Sequence, residues 1–219
     1  METAKIIEIS CLIVILVLSL SLHEYAHALV AYLRGDDTAK QLGRMTPNPI
    51  AHIDPMMTII VPAVLYFTTG FMFGGAKPVP VVMRRLRHPL RDMMFVAIAG
   101  PLTNLLLAGF FMLMWKVSMT FGGYGKGDLL PSVLLGALSF NLLLAVFNML
   151  PIPPLDGSRV MAYLLPQPLR EPYVNLERFG LLLVIGIIFF VPGVQPLLHG
   201  AMEWLSIKLY DLTGGDWRR

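Results

Sequence analysis

Long apolar runs dominate this chain, and their lengths set the first expectation. Residues 6–22, 58–73, 93–115, 132–150 and 179–191 are almost free of charge. Each approaches or reaches the roughly 17 to 25 residues that an α-helix needs to cross a bilayer. The connections between them are short. The longest, 35–55, is punctuated by Gly35, Gly43, Pro47, Pro49 and Pro55 and is not expected to be a helix. Residues 79–83, after Pro78, are rich in β-branched side chains and predict a short extended piece. Three prolines between Asn148 and Gly157 must end the helix before them. Residues 194–212 mix apolar positions with Glu203, Lys208 and Asp211, which suits a helix at an interface or packed on a bundle.

Composition turns this pattern into a class. Hydrophobic residues make up 56% of the 219 and charged residues 14%, against about 25% charged in soluble domains. Too little polar surface remains to coat the chain in water. The prediction is an all-α polytopic membrane protein, a bundle of about five to six transmembrane or re-entrant helices with short extended segments near the cytoplasmic face. It is read as one domain over 1–219, with a core over 6–160 and C-terminal helices over 174–212. The net charge of +3 is small and the basic residues are scattered between the apolar runs, which argues against a nucleic-acid partner. Cys11 is the only cysteine, so neither an internal disulfide nor a cysteine zinc site is available. Lys5 ahead of an apolar run has the outline of a secretory signal. Glu8 interrupts that start, and the run enters His23 without a small-x-small cleavage pattern, so the first helix is expected to be retained.

Candidate chemistry sits at the end of that first run, in His23-Glu24-Tyr25-Ala26-His27. Helical positions four apart share a face at roughly 6 Å, so two imidazoles can converge on one ion. Glu24 is turned about 100° from His23 and can take a proton from metal-bound water instead of ligating. Polar capping near the headgroups is the bland alternative, but capping needs no such spacing, and these groups carry a desolvation cost unless partnered. A zinc site also needs a third protein ligand. The candidates are Asp36, Asp37, His52, Asp54, His88, Asp92, Asp156 and His199; Asp156 stands out because it follows the proline-broken end of an apolar helix, where irregular backbone can line a polar cavity.

Here the chain resembles the site-2 protease family of intramembrane zinc metalloproteases. His23-Glu24-Tyr25-Ala26-His27 is similar to that family's zinc motif. Residues 148–157, an Asn followed by prolines and Leu155-Asp156-Gly157, are similar to its second motif. Residues 48–55, 75–80 and 99–104 resemble a compact prokaryotic branch; the chain has no room for the PDZ or CBS domains of other branches. The resemblance implies one catalytic zinc ion, Asp156 as its third ligand, and Asn148 as a residue that positions substrate, with a plain helix C-cap as the competing role for Asn148. It also implies hydrolysis of peptide bonds in transmembrane substrates, regulated intramembrane proteolysis, at the cytoplasmic side of the prokaryotic inner membrane. The extended piece carrying Val79 and Val81 is the candidate for strand-like pairing with an unwound substrate.

Topology offers an independent expectation. If all three apolar runs between His27 and Asp156 crossed fully, the two halves of the site would lie on opposite faces. One run must therefore fail to cross, and 58–73, with Pro62 and Gly70, is the shortest. Its flanking loops then share one side and carry Arg34, Lys40, Arg44, Lys77, Arg84, Arg85, Arg87 and Arg91, against Lys116 and Lys126 across the membrane. The positive-inside tendency makes the richer side cytoplasmic and the N-terminus external.

His52 and Asp54 read as local turn formers at least as readily as parts of a site. Asn104 reads as an interhelical hydrogen-bonding residue, Gly100-Pro101 as close packing or a kink, and His88 and His199 as interfacial. Two other functions remain in view, a metal or proton transporter and an inactive membrane scaffold.

Overall fold

The computed structural model describes residues 2–54, 56, 60, 77–125 and 127–214. The run 58–73, on which the topological expectation turns, lies outside the described residues apart from Ile60. Those described are helical or irregular, with no strand. Helix α1 spans Glu2–Leu33, α2 Thr38–Gln41, α3 Pro89–Phe121 and α4 Leu129–Asn148. They are followed by α5 Asp156–Leu164, α6 Gln167–Asn175, α7 Gly180–Phe190 and α8 Val194–Leu212.

Helices α1, α3 and α4 are long and apolar enough to cross a bilayer. At 1.5 Å per residue, α4 matches a hydrocarbon core of about 30 Å, and α1 and α3 exceed it. The protein is an integral membrane protein of the all-α class. Helix α7 rises only about 16 Å by itself; it counts toward a fourth crossing if joined to Gln167–Phe179, from which it is bent by 92°.

One compact unit comprises residues 1–16 and 101–219. Its core is Ala108 and Met112 of α3 with Leu138 and Leu142 of α4, and Met202, Leu205, Leu209 and Tyr210 of α8 pack against it. Those α8 positions fall at helical spacing on one face, while Trp204 and Leu212 are exposed. Residues 194–212 are thus a bundle-packed helix, one of the two options their mixed pattern left open. The buried Asn104 side chain donates to Asn141 Oδ1 at 3.1 Å, and Asn141 Nδ2 donates to Ala137 O, which satisfies amide groups that would be costly in hydrocarbon.

The second unit covers residues 17–100. Gly35, at φ 111°, ends α1 in a conformation that favours glycine. The connection expected to be free of helix holds two single turns, α2 and a 3-10 turn over Pro49–His52. Its prolines do not prevent the latter, because Pro49 stands at the first helical position and Asn48 accepts the Ile50 N–H as a cap. Residues 77–82 are non-helical and lead into a 3-10 turn at Met83–Arg85. Asp92 at the start of α3 accepts the His88 N–H at 2.8 Å and lies 3.5 Å from Arg34, so the fully buried carboxylate is compensated.

Candidate metal centre

The second half of α1 is built around one stripe. Ser19, His23, His27 and Ala31 are all buried and recur every four residues, so they form a single row along the helix. Earlier on α1, Ile6, Ile13 and Val14 are exposed, as lipid-facing residues should be. Ser21 returns its hydroxyl to Val17 O at 2.8 Å, which removes an unpaired donor from an apolar helix.

Within the row, the imidazoles of His23 and His27 meet edge to face, with Nε2 atoms 3.0 Å apart. His27 Nδ1 lies 2.7 Å from Val96 O. A carbonyl only accepts, so Nδ1 carries the proton and Nε2 keeps its lone pair for a ligand. Two nitrogens at Zn–N distances of about 2.0 to 2.1 Å in tetrahedral geometry stand about 3.3 Å apart. The observed separation fits that requirement.

Helix α3 contributes the wall of this site. Its Val96, Ala97 and Gly100 are buried at one helical spacing. A Cβ added to Gly100 would lie 2.5 Å from the Nε2 atoms of both His23 and His27. The same Cβ would lie 2.6 Å from His23 Cε1, so even a methyl group would collide with both rings and push them aside. Glycine here keeps a cradle open between the imidazoles and the α3 backbone. Close packing was one of the readings of Gly100-Pro101; what lay beyond the sequence was the partner, a pair of imidazoles more than seventy positions earlier. Pro101 lies inside α3 without ending it.

Glu24 is half-buried beside the pair. Its Oε2 accepts the backbone N–H of Val79 at 2.8 Å, which brings the predicted extended piece to the predicted base. Val81 is half-buried in the same non-helical stretch.

Asp156 belongs to the other compact unit and is the first residue of α5, where a carboxylate is favoured by the helix dipole. Its placement depends on Gly157. A Cβ on Gly157 would lie 2.2 Å from Met149 O and 2.5 Å from Leu150 O, so the start of α5 lies directly against the end of α4. The Asp-Gly pair therefore has a steric reason as well as a chemical one. Asn148 is the last residue of α4 and donates its side-chain amide back to Leu144 O at 3.0 Å, while the C-cap position itself is Met149.

Most of the other candidate ligands have partners elsewhere. His52 Nε2 bonds Thr46 O at 2.8 Å and Asp54 Oδ1 accepts Met56 N–H, as local turn formers do. Asp36 bonds Thr38 and Val82, Asp37 pairs with Arg85, and His199 Nδ1 lies 2.8 Å from Gln195 O on its own helix.

An apolar transmembrane helix carrying two converging imidazoles with a carboxylate beside them is the arrangement of a membrane metallopeptidase. Comparisons with known proteins agree. The sequence model described as Peptidase family M50 matches residues 124–191. The chain is similar to YwhC of Bacillus subtilis (strain 168), named as a candidate zinc metalloprotease, with 40% identity over 195 residues, 85% of this chain and 81% of the relative. It is also similar to Rip2 of Mycolicibacterium smegmatis, with the same kind of name, at 27% identity over 90% of this chain and 71% of the relative. Rip2 of Mycobacterium tuberculosis (strain H37Rv) is 28% identical over the same shares. No solved structure matches. The chain belongs to peptidase family M50, the site-2 protease family of zinc metalloproteases.

Proposed function

We propose that this protein is an intramembrane endopeptidase that hydrolyses peptide bonds in the transmembrane segments of other proteins, as in regulated intramembrane proteolysis. His23, His27 and Asp156, the residues that match the two family motifs, would hold one zinc ion. The observation that carries the reading is the convergence of the His23 and His27 Nε2 atoms on a buried face of α1 with Glu24 next to them. The donor set supports zinc: two neutral imidazoles and one carboxylate leave a position open for catalysis. When bound, zinc supplies a Lewis acid for the scissile carbonyl and lowers the pKa of a coordinated water toward about 7.

The remaining work falls to the chain. Glu24 Oε2 is occupied by the Val79 N–H, which orients the carboxylate and leaves Oε1 to take a proton from the attacking water. The same group then delivers that proton to the leaving amine as the carbon–nitrogen bond breaks. The buried row around His23 and His27 limits access of bulk water to this exchange. A helical substrate must unwind before its carbonyl is exposed. Residues 77–82, with Val79 and Val81, offer non-helical backbone near the base for pairing with the unwound segment, and Asn148 at the end of α4 would help position it. The basic residues around 34–44 and 77–91 support a site toward the cytoplasmic face of a prokaryotic inner membrane.

The test is zinc stoichiometry and cleavage of a model transmembrane substrate by purified wild type, Glu24→Gln and Asp156→Ala. Wild type should hold one zinc and cleave; Glu24→Gln should hold zinc without cleaving; Asp156→Ala should lose both. A transporter has no reason to show the Glu24→Gln split. Stoichiometric zinc and full cleavage in Asp156→Ala would overturn the assignment.

A further inference from the structure

Asp36 takes no part in the chemistry above, yet it is among the most deeply buried carboxylates, at 1% exposure. It follows Gly35 just past the end of α1, with its own N–H donated to Ala31 O at 2.9 Å. The side chain is divided between two partners. Oδ1 accepts from the Thr38 N–H at 3.1 Å and from the Thr38 hydroxyl, closing a local turn. Oδ2 accepts the backbone N–H of Val82 at 2.6 Å, from a position 46 residues later.

Val82 is three residues beyond Val79, whose N–H is held by Glu24. The stretch Pro78-Val79-Pro80-Val81-Val82 therefore has one end on the proposed base and the other on Asp36. Pro80, the one proline between Val79 and Val82, has φ fixed near −65° and lacks an N–H. Three residues of extended chain reach about 10 Å at most, so a stiff segment of that length passes the placement of Val82 on to Val79. Neighbouring contacts complete a seam between 34–38 and 82–87. Arg87 N–H donates to Arg34 O at 3.0 Å, and Arg85 Nη1 reaches Asp37 and Thr38 at 3.1 and 3.2 Å. The Arg85 and Asp37 side chains are about half exposed; the Asp36 bond is the buried member.

We infer that Asp36 is a positioning residue for the general base: by holding the Val82 N–H it sets where the Val79 N–H meets Glu24 Oε2. The inference rests on Glu24 acting as the base. It explains why a carboxylate stands at 36. Both oxygens must accept, and an asparagine would turn an NH2 donor toward one of the two N–H groups.

The experiment compares wild type, Asp36→Asn and Thr38→Ala in the full-length, zinc-loaded protein. Amide hydrogen exchange over 77–86, zinc content, and kcat and KM on a model transmembrane substrate are measured. Asp36→Asn should speed exchange over 77–86 and lower kcat about tenfold or more, with KM within twofold and zinc unchanged. Thr38→Ala, which keeps both carboxylate oxygens, should stay within twofold of wild type throughout. Unchanged exchange in Asp36→Asn overturns the inference, as does faster exchange with unchanged kcat. Zinc loss in Asp36→Asn overturns it too, since Asp36 would then support the fold at large. A wild type that neither holds zinc nor cleaves would instead remove the proposed function, and this role with it.

Discussion

Gly100 on α3 stands so close to His27 on α1 that a Cβ added to it would fall 2.5 Å from the imidazole Nε2, and equally near that of His23. An added methyl group would have to push aside the two imidazoles proposed to share an ion. Gly100→Ala should therefore weaken zinc binding by at least the 10- to 100-fold typical of supporting residues around a metal. Gly109→Ala is the control, because a Cβ there meets only Leu209 at 3.6 Å, an ordinary contact. Metal analysis after dialysis against a competing chelator checks both variants; equal retention in the two would remove Gly100 from the site.

Gly157 should behave differently. A Cβ there collides with backbone atoms of Met149 and Leu150, which cannot swing aside as a side chain can. Gly157→Ala should cost about 1 to 3 kcal/mol or more through overpacking, lowering the thermal midpoint in detergent. It should also displace Asp156 and lower zinc content. A variant with wild-type melting would show that the junction between α4 and α5 yields easily.

Metal removal should be reversible. Because the proposed ligands are an imidazole pair and a carboxylate, a strong zinc chelator should abolish cleavage and a stoichiometric zinc supplement should restore it. Cleavage that survives with zinc below a tenth of stoichiometric would require another source of catalysis.

The Asn104 to Asn141 hydrogen bond predicts a modest coupling. Interhelical bonds in membranes average about 0.6 kcal/mol and reach about 1.7. A double-mutant cycle with Asn104→Ala and Asn141→Ala, read by unfolding in mixed micelles, should fall in that range. A coupling indistinguishable from zero would mean that each amide is satisfied independently.

Much of this protein is legible along the chain because its physics is local. Apolar run length announced α1, α3 and α4, since hydrocarbon demands a fixed span whatever the neighbours are. The spacing of His23 and His27 implied their convergence, because helical periodicity alone brings positions four apart onto one face. The prolines before Asp156 marked the end of α4 for an equally local reason. Apolar content could not tell whether 179–191 is a complete crossing; the structure makes it the short helix α7, joined at a sharp bend to what precedes it. Nor could it say which side of the 194–212 helix meets the bundle. The roles of Gly100, Gly157 and Asp36 belong wholly to the tertiary structure. Each depends on a backbone or an N–H that arrives from a distant or independently turned segment: α3 beside the imidazoles, the end of α4 beside α5, and Val82 beside the turn after α1. Periodicity and composition record what a residue needs from its own helix, whereas close approach and long-range hydrogen bonds exist only once separate segments have packed.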